Sequence, residues 1–153
     1  MTIDDIIDYV TGLGGVLHLN PAPGGEWPEI SWGDSFFYYA PDGVVPTTTQ
    51  PFATIVTKDY PDDRSSRLDR PGTFRLNIAA GRETFIEWTG HAPGRGPDEV
   101  DASVTDTVIA HPVYGSAGWL AVVDPGERTG AVVRDLLRTA HERARARFER
   151  PTR

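Results

Sequence analysis

Between residues 16 and 123, short segments that alternate apolar and polar residues recur, most of them closed by glycine, proline or aspartate turns. The cleanest is Thr73-Phe-Arg-Leu-Asn-Ile78, where Phe74, Leu76 and Ile78 fall on one side and Arg75 and Asn77 on the other. A period of two belongs to a strand with one buried face. Val16–Leu19, Glu29–Trp32, Ser35–Tyr39, Phe52–Lys58 and Trp119–Val123 also read as strands, with Gly33-Asp34 as the tight turn of a hairpin between Glu29–Trp32 and Ser35–Tyr39.

Helical patterns bracket these strands. Thr2 and Asp5 form a capping-box-like pair before the stripe Ile3, Ile6, Ile7, Val10 and Leu13, which Gly14-Gly15 ends. Arg82–Thr89 reads as a short middle helix with Phe85 and Trp88 or Ile86 on its apolar side, stopped by Gly90. A last helix is expected to start at Asp124-Pro125-Gly126-Glu127, in the order N-cap, N1 proline, N3 glutamate. Its apolar face runs from Val132 to Phe148, and residues 148–153 are expected to fray. The pattern predicts a single α+β domain over residues 1–153, an antiparallel sheet flanked by N-terminal, middle and C-terminal helices. His91–Pro97 reads as a loop, and Glu99–Ala110 carries no clear pattern.

Composition removes several classes of function. With no cysteine, disulfides, zinc-thiolate sites and thiol nucleophiles are excluded. The acidic start Met1-Thr-Ile-Asp-Asp and the lack of a spanning apolar run predict a cytoplasmic protein without a membrane partner. A net charge of −7 argues against nucleic acid as a partner. Residues 126–153 reverse the sign, with eight arginines against four acids, as a helix whose polar face pairs with the acidic body or stays solvated.

Fourteen of the fifteen basic side chains are arginine, and the lone lysine, Lys58, opens the run Lys58-Asp-Tyr-Pro-Asp-Asp-Arg64. Lysine is a compact point charge where arginine is a planar fork, so its survival here marks a residue to locate. Alternation puts Phe52, Thr54, Val56 and Lys58 on one face, with Arg75 or Asn77 expected as neighbours of Lys58. Asp59, Asp62, Asp63 and Asp69 with Arg64, Arg67 and Arg70 either organise a surface loop by ion pairs or cradle an ion.

Familiar catalytic signatures fail. Gly12-Leu-Gly-Gly15 ends a helix and lacks the lysine and serine of a phosphate loop, so no cofactor is expected. Tyr114-Gly-Ser-Ala-Gly118 has tyrosine where a nucleophile elbow needs glycine, and it precedes a strand. His18, His91, His111 and His141 are too scattered for a metal site. His111, followed by Pro112, is the histidine placed to act, either as a general base or as a ligand hydrogen-bonder. The structural alternative is a loop histidine tied to backbone.

Trp27, Trp32, Phe36, Phe37, Tyr38 and Tyr39 crowd into thirteen residues, so Ser35–Tyr39 has aromatic side chains on both faces. Such a strand buries both faces, or one of them lines a pocket or an interface. The pocket reading uses Trp32, Phe37 and Tyr39 as its floor and Lys58, Arg75 and Asn77 as polar anchors for a small planar ligand. The interface reading makes the chain a homodimer.

Together, Trp32-Gly-Asp-Ser-Phe-Phe-Tyr-Tyr39, Pro51–Asp59, Ser66-Arg-Leu-Asp-Arg-Pro71, Phe74–Ile78 and His111-Pro-Val-Tyr114 with Gly118-Trp119 resemble an uncharacterised actinobacterial family, a domain of unknown function. The resemblance spans nearly the whole chain and implies no activity. By element order and the Trp119 strand, the chain is also similar, more distantly, to the YjbR-like or mitomycin-resistance-like double-wing fold, which implies a scaffold for small molecules or drugs. The resulting expectation is a cytoplasmic domain binding a planar aromatic ligand or antibiotic through Trp32, Tyr39, Lys58, Arg75, Asn77, His111 and Trp119. The alternatives are an enzyme of small-molecule or secondary metabolism, with His111 as general base and Lys58 or Arg75 stabilising negative charge, and an interaction protein using the aromatic strand.

Overall fold

The computed structural model describes residues 1–96 and 100–150. The end of the expected loop at Pro97, the start of the unpatterned segment at Glu99 and the tail residues 151–153 lie outside the described residues. The elements are α1 (Ile3–Thr11), β1 (Val16–Leu19), β2 (Ser35–Tyr39), β3 (Ala53–Val56), β4 (Arg75–Ala79), α2 (Arg82–Thr89), β5 (Val108–Ala110), β6 (Trp119–Val123) and α3 (Gly130–Glu149), with 3-10 turns at Glu29–Ser31 and Gly115–Ala117. The strands form one antiparallel sheet in the order β1-β2-β3-β4-β6-β5. With N-terminal, middle and C-terminal helices, the fold is α+β.

Register divides the sheet into two unlike faces. Phe37 pairs with Ala53, Ala53 with Ile78 and Ile78 with Leu120, a row that is fully buried. This row joins Ile6 and Val10 of α1, Phe85 of α2 and Val133, Leu136 and Leu137 of α3 in the main core. The opposite face carries Phe36, Thr54 and Asn77 in one row and Val56, Arg75 and Val123 in the next. Loops, not helices, cover that second face. No helix among the described residues is long and apolar enough to cross a membrane.

The α1 capping box forms as read: Asp5 N donates to Thr2 Oγ1 (3.1 Å) and Thr2 N to Asp5 Oδ2 (2.9 Å). Two expectations are corrected. Glu29–Trp32 is no strand, because Ser31 donates both its amide (3.0 Å) and its hydroxyl (2.7 Å) to Pro28 O and closes a 3-10 turn. The hairpin partner of β2 is therefore β1. The last helix also starts later than Asp124. That residue has φ +45° and clips strand ends together, its carboxylate accepting Phe74 N (3.0 Å) and its amide donating to Phe74 O (3.0 Å). Asp106 instead fastens the turn before α3, accepting from Gly126 N (2.8 Å), Arg128 N (3.0 Å), Thr129 N (3.0 Å) and the Thr129 hydroxyl (2.5 Å), and α3 begins after Thr129 without a side-chain cap.

Candidate functional site

On the loop-covered face lies a cavity of about 640 Å³. Its floor is the polar centre of the sheet: Thr54 on β3, Arg75 and Asn77 on β4. Trp27, Phe36 and Tyr38 line one side, Tyr114 and Trp119 another, and Tyr60, Asp62 and Asp63 enter from the loop after β3. Trp27 and Phe36 stack with centroids 6.3 Å apart, and Tyr114 tilts against Trp119 at 6.4 Å. Tyr114 is 55% exposed and Trp27 43%, apolar surface left open to water.

Arg75 organises the floor although it is only 1% exposed. Its Nη1 and Nη2 donate to the two oxygens of Asp63 (3.0 and 2.5 Å), Nη1 also to Ser66 Oγ (2.9 Å), and Nε to Asn77 Oδ1 (2.7 Å). Asn77 passes the chain on, its Nδ2 donating to Thr54 Oγ1 (2.9 Å). A buried guanidinium needs this two-pronged carboxylate, since an unpaired buried charge is strongly destabilising. Burial pushes Asp63 up, but hydrogen bonds and charge from Arg75 hold it net below the usual carboxylate range. Asp63 is thus the partner that allows Arg75 to sit in the sheet.

His111, 3% exposed, lies beside this pair with Nε2 3.2 Å from Arg75 Nη2. Its Nδ1 accepts the amides of Val113 (3.0 Å) and Tyr114 (2.9 Å), capping the turn that leads to β6. Burial, followed by the Arg75 charge, pushes its pKa down to about 3 against the opposing pull of Asp63. The imidazole is neutral at pH 7.

The structure separates the residues grouped from sequence. Arg75, Asn77, His111 and Trp119 line the cavity; Trp32, Phe37, Tyr39 and Lys58 do not. Parity explains the aromatic pair: Phe37 and Tyr39 lie on the helix-covered face, and Phe36 and Tyr38 take the places expected for them. Tyr39 packs edge-on against His141 and Phe148 instead. Lys58 lies past the end of β3, where its ammonium donates to Trp32 O (2.7 Å) and Asp34 Oδ1 (3.0 Å) and not toward Arg75 or Asn77. Asp34, fully buried, also accepts Thr57 N (2.9 Å), the Thr57 hydroxyl (2.9 Å) and the Tyr60 hydroxyl, and so ends the alternation before Lys58. Lys58 braces a loop wall of the cavity from behind.

The charged run resolves into distinct tasks. Asp59 accepts Leu68 N (2.9 Å), Asp63 pairs with Arg75, and Asp62 reaches the cavity. Among the described residues no cluster of His, Asp and Glu is arranged to hold a metal ion. Trp27, Phe36, Tyr38, Thr54, Asp63 and Tyr114 are site residues that sequence reasoning did not place there. The signal for Thr54 and Phe36 was the polar side of the Phe74–Ile78 alternation: residues in the row paired across from Asn77 share its face.

The whole chain, residues 1–153, matches the model of a family of unknown function, DUF6194. The chain belongs to this family. No curated protein and no solved structure gives a significant match, and the more distant double-wing likeness is not confirmed. What the DUF6194 site can do must come from its own geometry. It offers aromatic walls, a polar floor held in one arrangement by Arg75, and a neutral imidazole; among the described residues lining it, Arg75 is the one cation, against Asp62 and Asp63.

Proposed function

We propose that this DUF6194 protein is a small-molecule-binding domain for a planar aromatic ligand. The observation that carries this reading is the cavity of about 640 Å³, walled by aromatic side chains over a fixed polar floor. Ligand sites combine mostly apolar walls with a few positioned polar groups, and volumes of several hundred Å³ suit small organic molecules. The neighbouring readings draw less support. A general base needs a free lone pair and a pKa near the working pH, whereas the Nδ1 of His111 is occupied by backbone and its proton affinity is suppressed. An interaction face needs its aromatics exposed with no pocket, whereas Phe36 and Tyr38 of β2 are half-buried and line the cavity.

The test is a thermal-shift screen of planar aromatic compounds, with a Phe36→Ala variant as control. A binder at 100 times its Kd stabilises by about 2.7 kcal/mol, or a Tm rise of roughly 5–10 °C for a domain of this size. Hits that lose their shift in the folded variant support the reading. A screen without hits, or hits indifferent to Phe36, would overturn it.

A further inference from the structure

The donors at the cavity floor outnumber the acceptors. Arg75 carries five N–H groups and no acceptor. Four of its N–H bonds end on Asn77, Ser66 and the two oxygens of Asp63. The fifth, on Nη2, points at Nε2 of His111, 3.2 Å away. A neutral imidazole has one lone pair and one N–H. Two backbone amides already point at Nδ1, so the lone pair belongs there and the proton belongs on Nε2. Nε2–H and the fifth arginine N–H then face each other, two donors without an acceptor between them. Moving the proton to Nδ1 sets it against two amides and makes the conflict worse. Buried donors in native proteins find acceptors, and both of these residues line the cavity.

We propose that the ligand supplies the missing acceptor, a carbonyl oxygen that takes Nε2–H of His111 and the free Nη2–H of Arg75 together, and that the ligand is a neutral planar aromatic carbonyl compound. This rests on the ligand-binding reading of the cavity and narrows it. Neutrality follows from the charges around the oxygen. Arg75 is already matched by Asp63, and Asp62 also lines the site, so a ligand anion meets a net negative surround. A ligand cation would set its charge against two N–H donors at the floor. A ring lying along Phe36 and Tyr38 presents its carbonyl to the donors without disturbing the Arg75–Asp63 pair.

Four probes sharing one ring separate the possibilities: naphthalene, naphthalene-2-carboxamide, 2-naphthoate and 2-naphthyltrimethylammonium, each titrated into ¹⁵N-labelled protein and followed by NMR. The carboxamide is expected to bind about ten-fold more tightly than naphthalene, the scale of one to two good hydrogen bonds, and more tightly than either charged probe. Nitrogen spectra of the free protein at pH 7 should show His111 protonated at Nε2. His111→Asn keeps a side-chain oxygen to accept the Val113 and Tyr114 amides while deleting the ring donor. In that variant, with the Arg75 donor still in place, the carboxamide should lose part of its advantage over naphthalene. A proton on Nδ1, tightest binding by the naphthoate or the ammonium probe, or naphthalene binding with no gain from the carbonyl overturns the proposal and leaves the binding reading standing. No binding by any ring overturns both. Should the variant not fold, the tautomer and the four-probe ranking in the wild type decide.

Discussion

Lowering the pH from 7 to 5 should destabilise the protein through His111, a group that stays neutral in the fold because no acceptor awaits a second proton. In the unfolded chain the imidazole titrates near its ordinary value of 6.5; in the fold, burial and the Arg75 guanidinium push it down to about 3. A folded-state pKa below the unfolded one means that acid favours unfolding, because only the unfolded chain takes up the proton. The loss begins as pH falls through 6.5 and is complete below about 3. At pH 5 an unfolded imidazole is about 97% protonated and the native one about 1%, which integrates to roughly 2 kcal/mol lost relative to pH 7. Asp63, held below its ordinary range, loses its contribution only at lower pH, outside this interval. His18, also pushed down by burial, acts in the same direction and is common to both proteins compared. The assay is urea unfolding followed by tryptophan fluorescence at pH 7 and 5, on wild type and His111→Asn. The stability advantage of the wild type should shrink by about 2 kcal/mol between the two pH values. An advantage that is the same at both would mean that His111 accepts a proton in the native state, refuting its confinement among donors.

The same geometry predicts three further outcomes. Asp34→Ala strands two donors of Thr57, the Lys58 ammonium and the Tyr60 hydroxyl, and should cost about 3–5 kcal/mol in chemical unfolding. Lys58→Ala removes the cation from the fully buried Asp34 carboxylate but leaves its hydrogen bonds from Thr57 and Tyr60, and should cost less than Asp34→Ala in the same experiment. Asp63→Ala leaves Arg75 as an unpaired buried cation and should cost about 3 kcal/mol or more, whereas Asp63→Ala combined with Arg75→Met should recover part of that loss in a double-mutant cycle.

How much of this could be read from sequence depends on the range of the interaction. The Thr2–Asp5 capping box and the Phe74–Ile78 alternation are local and complete within a few residues, so both appear as read. Glu29–Trp32 failed because four alternating residues fit a 3-10 turn as well as a strand, and Pro28 with Ser31 favours the turn. The start of α3 failed because the turn before it is fastened from a distant loop by Asp106, and Asp124, which looked like the cap, is drawn off to Phe74. In the site, the facing of Arg75 and Asn77 followed from their own strand. Which aromatics joined them depended on register between strands, where a slip of one residue exchanges the faces; Phe36 and Tyr38 therefore stand where Phe37 and Tyr39 were expected. Lys58 was singled out by rarity alone, and its partner Asp34, 24 residues away, had read only as half of a tight turn.

Asp34, Asp59, Asp106 and Asp124 each reach out of their own segment to seize backbone amides elsewhere in the chain. In a protein without cysteine they serve as its staples, fastening the loops that wall the cavity and the approach to the last helix. They differ from covalent staples in what undoes them. The Thr129 hydroxyl and the amides around it hold Asp106 at a pKa of about 2, so that fastening outlasts mild acid, and it gives way to protons where a disulfide gives way to a reductant. The approach to the last helix is thus held by a fastening that acid can open with no covalent bond broken.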